Sequence, residues 1–299
     1  MSRIDEALRR TGNHGPDRHI PGKHDNQDLF VSAWALDPAP ASSRPEPART
    51  SGGSDPLTLA HSQPVSLSGA CSEQLAHTPE ANPALVEQFR KLAATLHHAQ
   101  AGSGIKVVMV TSASADDGKT LTALNLSLVL SESYRRRVLL IDADLRRPSL
   151  ANIAHVTDAA GLSEALRSST EKKPGLLQVT PMLMLLPAGR PDPDPIGGLT
   201  SPRMRSILDE AAARFDWVIL DAPPTGPMAD ANLLASMVDG AVFVVRSGHT
   251  HHQAAQRAID VLGRERILGV VLNGVEKMSP EHYEYYSAPA SDEKQLTKR

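Results

Sequence analysis

Apolar and polar positions divide the chain into three stretches. From residue 83 to 276, unbroken apolar runs of strand length recur with helical spacers between them. The runs are "IKVVMVTS" (105–112), "RVLLIDA" (137–143), "PMLMLLPA" (181–188), "WVILDA" (217–222), "GAVFVVRS" (240–247) and "ILGVVLNG" (267–274). Runs this short and this uniformly apolar predict strands covered on both faces. After the first, Leu121, Leu124, Leu128 and Val129 fall on one stripe and predict a helix from about Lys119. "SPRMRSILDEAAARF" predicts another, with Ser201 as N-cap and Pro202 at the first helical position. Strands alternating with helices imply crossover connections and a mostly parallel sheet. The expected fold is therefore a doubly wound α/β domain over 83–276, with ligands at the carboxyl ends of its strands.

The flanks read differently. Residues 12–82 carry stretches such as "DPAPASSRPEPARTSGGSDP". So little periodic apolar content does not offset the entropy of ordering, which predicts a disordered linker. Ahead of it, residues 1–11 predict a short amphipathic helix, with Ile4, Ala7 and Leu8 on one face as a candidate docking peptide. Residues 277–299 predict a flexible polar tail.

Composition narrows the function. The 299 residues carry a net charge of −3, which leaves no electrostatic footprint for nucleic acid or an anionic membrane surface. A single cysteine, Cys71, rules out an internal disulfide framework and fits a reducing compartment. No apolar run approaches the roughly 18 residues of a membrane span, and the amino terminus has no signal-peptide apolar region. A cytoplasmic location is expected. His97, His98, His249, His251 and His252 lack a cysteine or third-ligand pattern and read as solvated residues at helix ends. The aromatic residues are unevenly spent. Three of the four tyrosines, Tyr283, Tyr285 and Tyr286, fall in "EHYEYYS" near the carboxyl terminus.

The chemistry starts at the end of the first strand. "SASADDGKTLT" has the strand–loop–helix placement of a phosphate-binding P-loop, although Ala113 stands at the usual first glycine. Backbone N–H groups of such a loop cradle phosphates. The candidate nucleotide contacts are Ala115, Asp117, Gly118, Lys119, Thr120 and Leu121. Lys119 is placed for the β- and γ-phosphates, and the Thr120 hydroxyl for Mg²⁺. "LLIDADLRRP" ends a strand in Asp142 and Asp144, and "VILDAPP" ends another in Asp221. Carboxylates there hold Mg²⁺, partly through water, or accept a hydroxyl proton.

"DDGKT", "LLIDADLRRPSL" and "VILDAPP", with the tyrosine-rich tail, resemble the bacterial tyrosine kinases of capsule and exopolysaccharide synthesis over residues 83–287. "MSRIDEALRR", "EQFRKLAATLHHAQ" and "VVLNGV" are similar to the branch accompanying exosortase-linked polysaccharide loci. The resemblance implies Walker A, A′ and B motifs and ATP and Mg²⁺ as cofactors. In it Asp142 is the proton-accepting or metal-side carboxylate, Asp144 its partner and Asp221 the Walker B aspartate. Thr120, Asp142 and Asp221 become the metal ligands, Lys119 joins the three aspartates as catalytic, and Arg246 and Asn273 lie near the base. It makes Tyr283, Tyr285 and Tyr286 autophosphorylation sites. It also implies a membrane polysaccharide co-polymerase as partner, which would bring the chain to the inner membrane, and a homo-oligomer. A 23-residue tail spans at most about 75 Å, enough to reach a neighbouring active site.

The chain departs from that pattern in three places. Asp116 stands where the family has the first glycine of Gly-Glu-Gly-Lys, and Asp116 and Asp117 together bring two negative charges to a polyphosphate site. Ala93 replaces the second arginine of Glu-x-x-Arg-x-x-Arg, after Glu87 and Arg90. Asp194 stands where asparagine is common, in a loop expected to have no catalytic role. Two other readings share the sheet and the aspartates. One is a partitioning-type switch ATPase, whose signature lysine is replaced by Ser114. The other is a regulator of polysaccharide export with weakened catalysis, which Asp116 favours.

Overall fold

The computed structural model describes residues 32–33, 65, 67, 75–76, 81–156, 159–167, 175–226 and 229–275. The amphipathic segment at 1–11 and the tail tyrosines lie outside them.

Eight strands form one sheet among the described residues: β1 (Ser32–Ala33), β2 (Val107–Ser112), β3 (Val138–Asp142), β4 (Leu177–Thr180), β5 (Leu183–Leu186), β6 (Trp217–Asp221), β7 (Gly240–Arg246) and β8 (Ile267–Asn273). Their order is β1-β8-β7-β2-β6-β3-β5-β4. The six from β8 across to β5 run parallel, and β1 and β4 close the edges antiparallel. Each apolar run of the sequence becomes a strand. Two strands are not expected from that pattern: β4, whose "LQVT" is too short and too polar to stand out, and the two-residue β1, which lies within the stretch read as a disordered linker.

Helices cover both faces: α1 (Pro83–Ser103), α2 (Lys119–Glu132), α3 (Leu150–Ile153), α4 (Leu162–Arg167), α5 (Ile196–Leu199), α6 (Pro202–Arg214), α7 (Asp230–Ala235) and α8 (His252–Leu262). Alternate strand residues serve opposite faces, as the pleat requires. Val108, Val110, Val138, Leu140, Trp217 and Ile219 face α1 and α2. Val107, Met109, Leu139, Ile141, Val218 and Leu220 face α4 to α8. Helix α2 lies between the sheet and α1, so Thr122 through Ser131 are all buried and no polar stripe remains. The starts follow local chemistry. Asn82 accepts the Ala84 N–H at 2.9 Å ahead of Pro83, and Ser201 accepts the Met204 N–H at 3.3 Å ahead of Pro202.

The core begins earlier than residue 83. Leu75 is fully buried against α1 and α2, the Ala76 N–H donates to Asn125 Oδ1 at 2.7 Å, and the Val65 N–H donates to the Gln178 carbonyl on β4 at 2.9 Å. Single apolar anchors in a Pro/Ser-rich stretch have no period, so the pattern of positions did not reveal them. On α1, Glu87 and Arg90 form an exposed pair at 3.8 Å, worth a few tenths of a kcal/mol. Ala93 is wholly buried, so the position of the missing arginine faces the core.

Candidate functional site

Strand register assembles the site. Asp142 and Asp221 are direct neighbours across β3 and β6, and Asp221 is also in register with Val110 of β2. By strand parity both carboxylates point to the α2 face, where the loop after β2 enters α2. That loop turns through two left-handed residues, Asp116 at φ 64° and Gly118 at φ 93°. The first shows why glycine suits that position, and aspartate is among the side chains that tolerate it. The second has no tolerance: a Cβ on Gly118 would lie 2.0 Å from Asn273 Nδ2.

Lys119 begins α2, and its Nζ sits 3.2 Å from Asp144 Oδ2 with only 12 % of the side chain exposed. Burial alone would lower the lysine's pKa, but the carboxylates of Asp221 and Asp144 raise it, so it stays protonated. Asp144 Oδ1 also accepts the Arg147 N–H at 3.1 Å. Asp142 accepts three backbone N–H groups, from Asp144 at 3.3 Å, Ser149 at 3.2 Å and Leu150 at 3.1 Å. Even so, burial and the charge of Asp221 push its pKa up to about 8. Asp221 is completely buried, and neither oxygen has a hydrogen-bond partner among the described residues. Burial raises its pKa to about 6 against the pull of Lys119 and of the nearby Thr120 hydroxyl, which lies outside hydrogen-bonding geometry. Thr120 Oγ1 accepts from the Ser149 hydroxyl at 3.3 Å.

Two orphaned, buried carboxylate oxygens beside a hydroxyl and an ammonium are costly unless something positive joins them. The donor set of Asp221, Asp142 and Thr120 fits Mg²⁺, which takes one or two carboxylates and completes its shell with phosphate oxygen and water. No group of three or more His, Cys, Asp or Glu converges as a metal cage among the described residues, and a Mg²⁺ site of this kind needs none.

The raised carboxyls set a pH dependence. From pH 3.8 up through about 8, folded Asp142 holds a proton that the unfolded chain has released, so folding stability falls as pH rises. Measured without nucleotide or magnesium, the melting temperature should drop from pH 5 to pH 8 by at least about 4 °C, roughly 1 kcal/mol or more for a domain of this size. Asp142→Asn should flatten that slope, which a fluorimetric melting series over pH checks.

The remaining candidates lie on or behind the loop. Ala115 and Asp116 are exposed on it, and Leu121 is half-buried in the first turn of α2. The Asp117 side chain turns away from the front of the loop and is fully buried, so its contact with a phosphate would be through its backbone. The carboxylate expected to face the phosphates is thus held behind the loop rather than at its front. Arg246 Nη1 donates to the Asp116 carbonyl at 3.0 Å, and Asn273 Nδ2 donates to the Asp117 carbonyl at 2.9 Å. These two ends of β7 and β8 brace the loop. Pattern reading missed Arg146 and Asp230. The guanidinium donates through Nε at 2.6 Å and Nη2 at 3.3 Å to the buried Asp230 at the start of α7, and also to the Pro193 carbonyl. One side chain thereby ties the loop carrying Asp144 to α7 and to the loop after β5. Asp194 lies in that last loop, its N–H donating to Asp192 Oδ1 at 3.0 Å.

No helix of the described residues is long and apolar enough to cross a membrane. Residues 108–290 match the CobQ/CobB/MinD/ParA nucleotide-binding domain family (CbiA). The chain is 34 % identical over 203 residues to the tyrosine-protein kinase YwqD of Bacillus subtilis, covering 67 % of this chain and 85 % of that protein. It is 32 % identical over 195 residues to the succinoglycan biosynthesis transport protein ExoP of Rhizobium meliloti, covering 62 % of this chain and only 24 % of that longer protein. Among solved structures, the kinase domain of the Escherichia coli tyrosine kinase ETK superposes with a TM-score of 0.60 at 31 % identity, over 66 % of this chain and 78 % of that one.

Proposed function

The chain belongs to the tyrosine-protein kinases within the MinD/ParA-type P-loop nucleotide-binding domains, and from that premise we propose that it is an ATP-dependent autokinase that phosphorylates Tyr283, Tyr285 and Tyr286. The observation that carries this reading is the cluster of Lys119 with three strand-end aspartates, one of them holding two buried, unpaired oxygens, at the mouth of a P-loop. That arrangement suits transfer of a γ-phosphoryl group. Backbone N–H groups of 116–120 and the α2 amino terminus cradle the phosphates, and the Lys119 ammonium neutralises charge on the transferring group. Mg²⁺, when bound by Thr120 and Asp221 with Asp142 beside it, supplies further charge neutralisation on the phosphate oxygens.

The acceptor is a phenol with a pKa of about 10, so it needs a base. A carboxyl whose proton comes on and off near neutrality is matched to that task, and Asp142 has that character. The phenol oxygen forms its bond to the γ-phosphorus as the bond to the bridging oxygen breaks. ADP leaves, and the phenolic proton passes to Asp142.

ExoP, by its name, works in transport during succinoglycan biosynthesis. By analogy this chain regulates synthesis and export of an exopolysaccharide, through a membrane co-polymerase whose cytoplasmic end activates it and through contacts between its own copies. Each phosphotyrosine adds about −1.5 to −2 charges, enough to push such copies apart. The test is to incubate the full chain with ATP and Mg²⁺ and map phosphate by mass spectrometry. Phosphate on the 283–286 cluster is the expected result. ATP hydrolysis with an unmodified tail would identify a switch ATPase and contradict the proposal.

A further inference from the structure

Asp117 is a fully buried carboxylate in the loop, and the mechanism above makes no use of it. Its Oδ2 accepts the Ser114 N–H at 2.9 Å, which closes the loop on itself. Its Oδ1 accepts the hydroxyl of Thr250 at 2.7 Å, from a residue 133 positions away on the turn between β7 and α8. Thr250 is itself held from both sides. Its Oγ1 accepts the Arg246 N–H at 2.7 Å, and its own N–H donates to the Arg246 carbonyl at 2.9 Å.

From this geometry we propose that Asp117 and Thr250 form a latch that fixes the phosphate loop against the β7–α8 turn, which makes Thr250 a positioning residue for nucleotide binding. The inference rests on the nucleotide-binding reading of the loop. The loop makes its turn through two left-handed residues, so its phosphate-facing N–H groups depend on anchors outside it. Arg246 and Asn273 anchor the carbonyls of Asp116 and Asp117, and the latch is the anchor that engages a loop side chain. A turn far away in sequence thereby sets where the phosphate-facing amides point.

The latch also accounts for an acidic residue beside a polyphosphate. The carboxylate is satisfied by two donors behind the loop, so its hydrogen bonds contribute position while its charge opposes the phosphates. Those two effects separate by substitution. In Asp117→Asn, the amide oxygen accepts the Ser114 N–H and the amide N–H donates to Thr250 Oγ1, whose own proton rotates away. The latch persists without its charge.

The experiment is calorimetric titration of the full chain with MgATP, alongside thermal melting. Thr250→Val and Asp117→Ala, each of which removes the latch bond and one further hydrogen bond, are expected to bind at least about tenfold more weakly. Thr250→Ser keeps the hydroxyl and should restore binding, while Asp117→Asn should bind at least as tightly as the unaltered chain. A uniform loss of melting temperature cannot produce that pattern of opposite signs. Thr250→Val binding within about twofold of the unaltered protein overturns the latch. So does failure of Thr250→Ser to rescue, or Asp117→Asn binding as weakly as Asp117→Ala. Should the unaltered chain bind no MgATP, the nucleotide reading itself falls and the latch with it.

Discussion

Lys119→Met is expected to reduce tyrosine phosphorylation of the tail at least about 100-fold, the loss seen when one preorganised donor to a developing charge is removed. The ammonium lies against the aspartate cluster, 3.2 Å from Asp144 and close enough to Asp221 to oppose the rise in its pKa. Methionine keeps the length and apolar stem of lysine but brings no charge to the phosphates. It also removes the cation that opposes burial at Asp221, so that carboxyl will hold its proton to higher pH. The folded core should survive, because Lys119 contributes at the mouth of the site while the packing of α2 rests on Thr122 through Ser131. Phosphotyrosine mapping after equal incubation, with circular dichroism as the folding control, measures the effect. A variant labelling its tail within tenfold of the unaltered chain would mean the phosphates are handled elsewhere.

How much of this was legible in the sequence follows from how each part is encoded. Strands buried on both faces announce themselves, so β2, β3 and β5 to β8 appear as apolar runs. The aspartates that end β3 and β6 stand out because a charge closes an apolar run. The register of Asp142 beside Asp221 then follows from adjacent parallel strands, although that β6 inserts between β2 and β3 is a matter of topology that no local pattern carries. Contacts between distant segments stayed hidden. Thr250 in "SGHTHH" and the Arg146–Asp230 pair, 84 residues apart, have no period and no spacing rule. The two neighbouring aspartates of the loop show the limit most clearly. Asp116 is exposed and Asp117 is wholly buried, yet as letters they are the same. Leu75 was lost for a related reason, as one apolar anchor in a stretch whose composition argues for disorder.

The second large effect concerns magnesium. Asp221 is buried with both oxygens unpaired among the described residues, at a cost that a divalent cation beside it would offset. Replacing it by asparagine removes the charge that draws the ion while leaving the size of the side chain and the strand register intact. Asp221→Asn should therefore still accommodate ATP through the loop N–H groups and Lys119, but without the increment contributed by the metal. The free protein should become more stable, because an ionised buried carboxyl without a partner has been removed. Activity and stability then move in opposite directions, which a general unfolding defect cannot do.

The most direct test is an ATP titration of the full chain in magnesium and again in chelator, for the unaltered protein and for Asp221→Asn. The account predicts that magnesium tightens binding at least about tenfold in the unaltered chain and changes it little in the variant. Equal affinity with and without magnesium in the unaltered chain would contradict it.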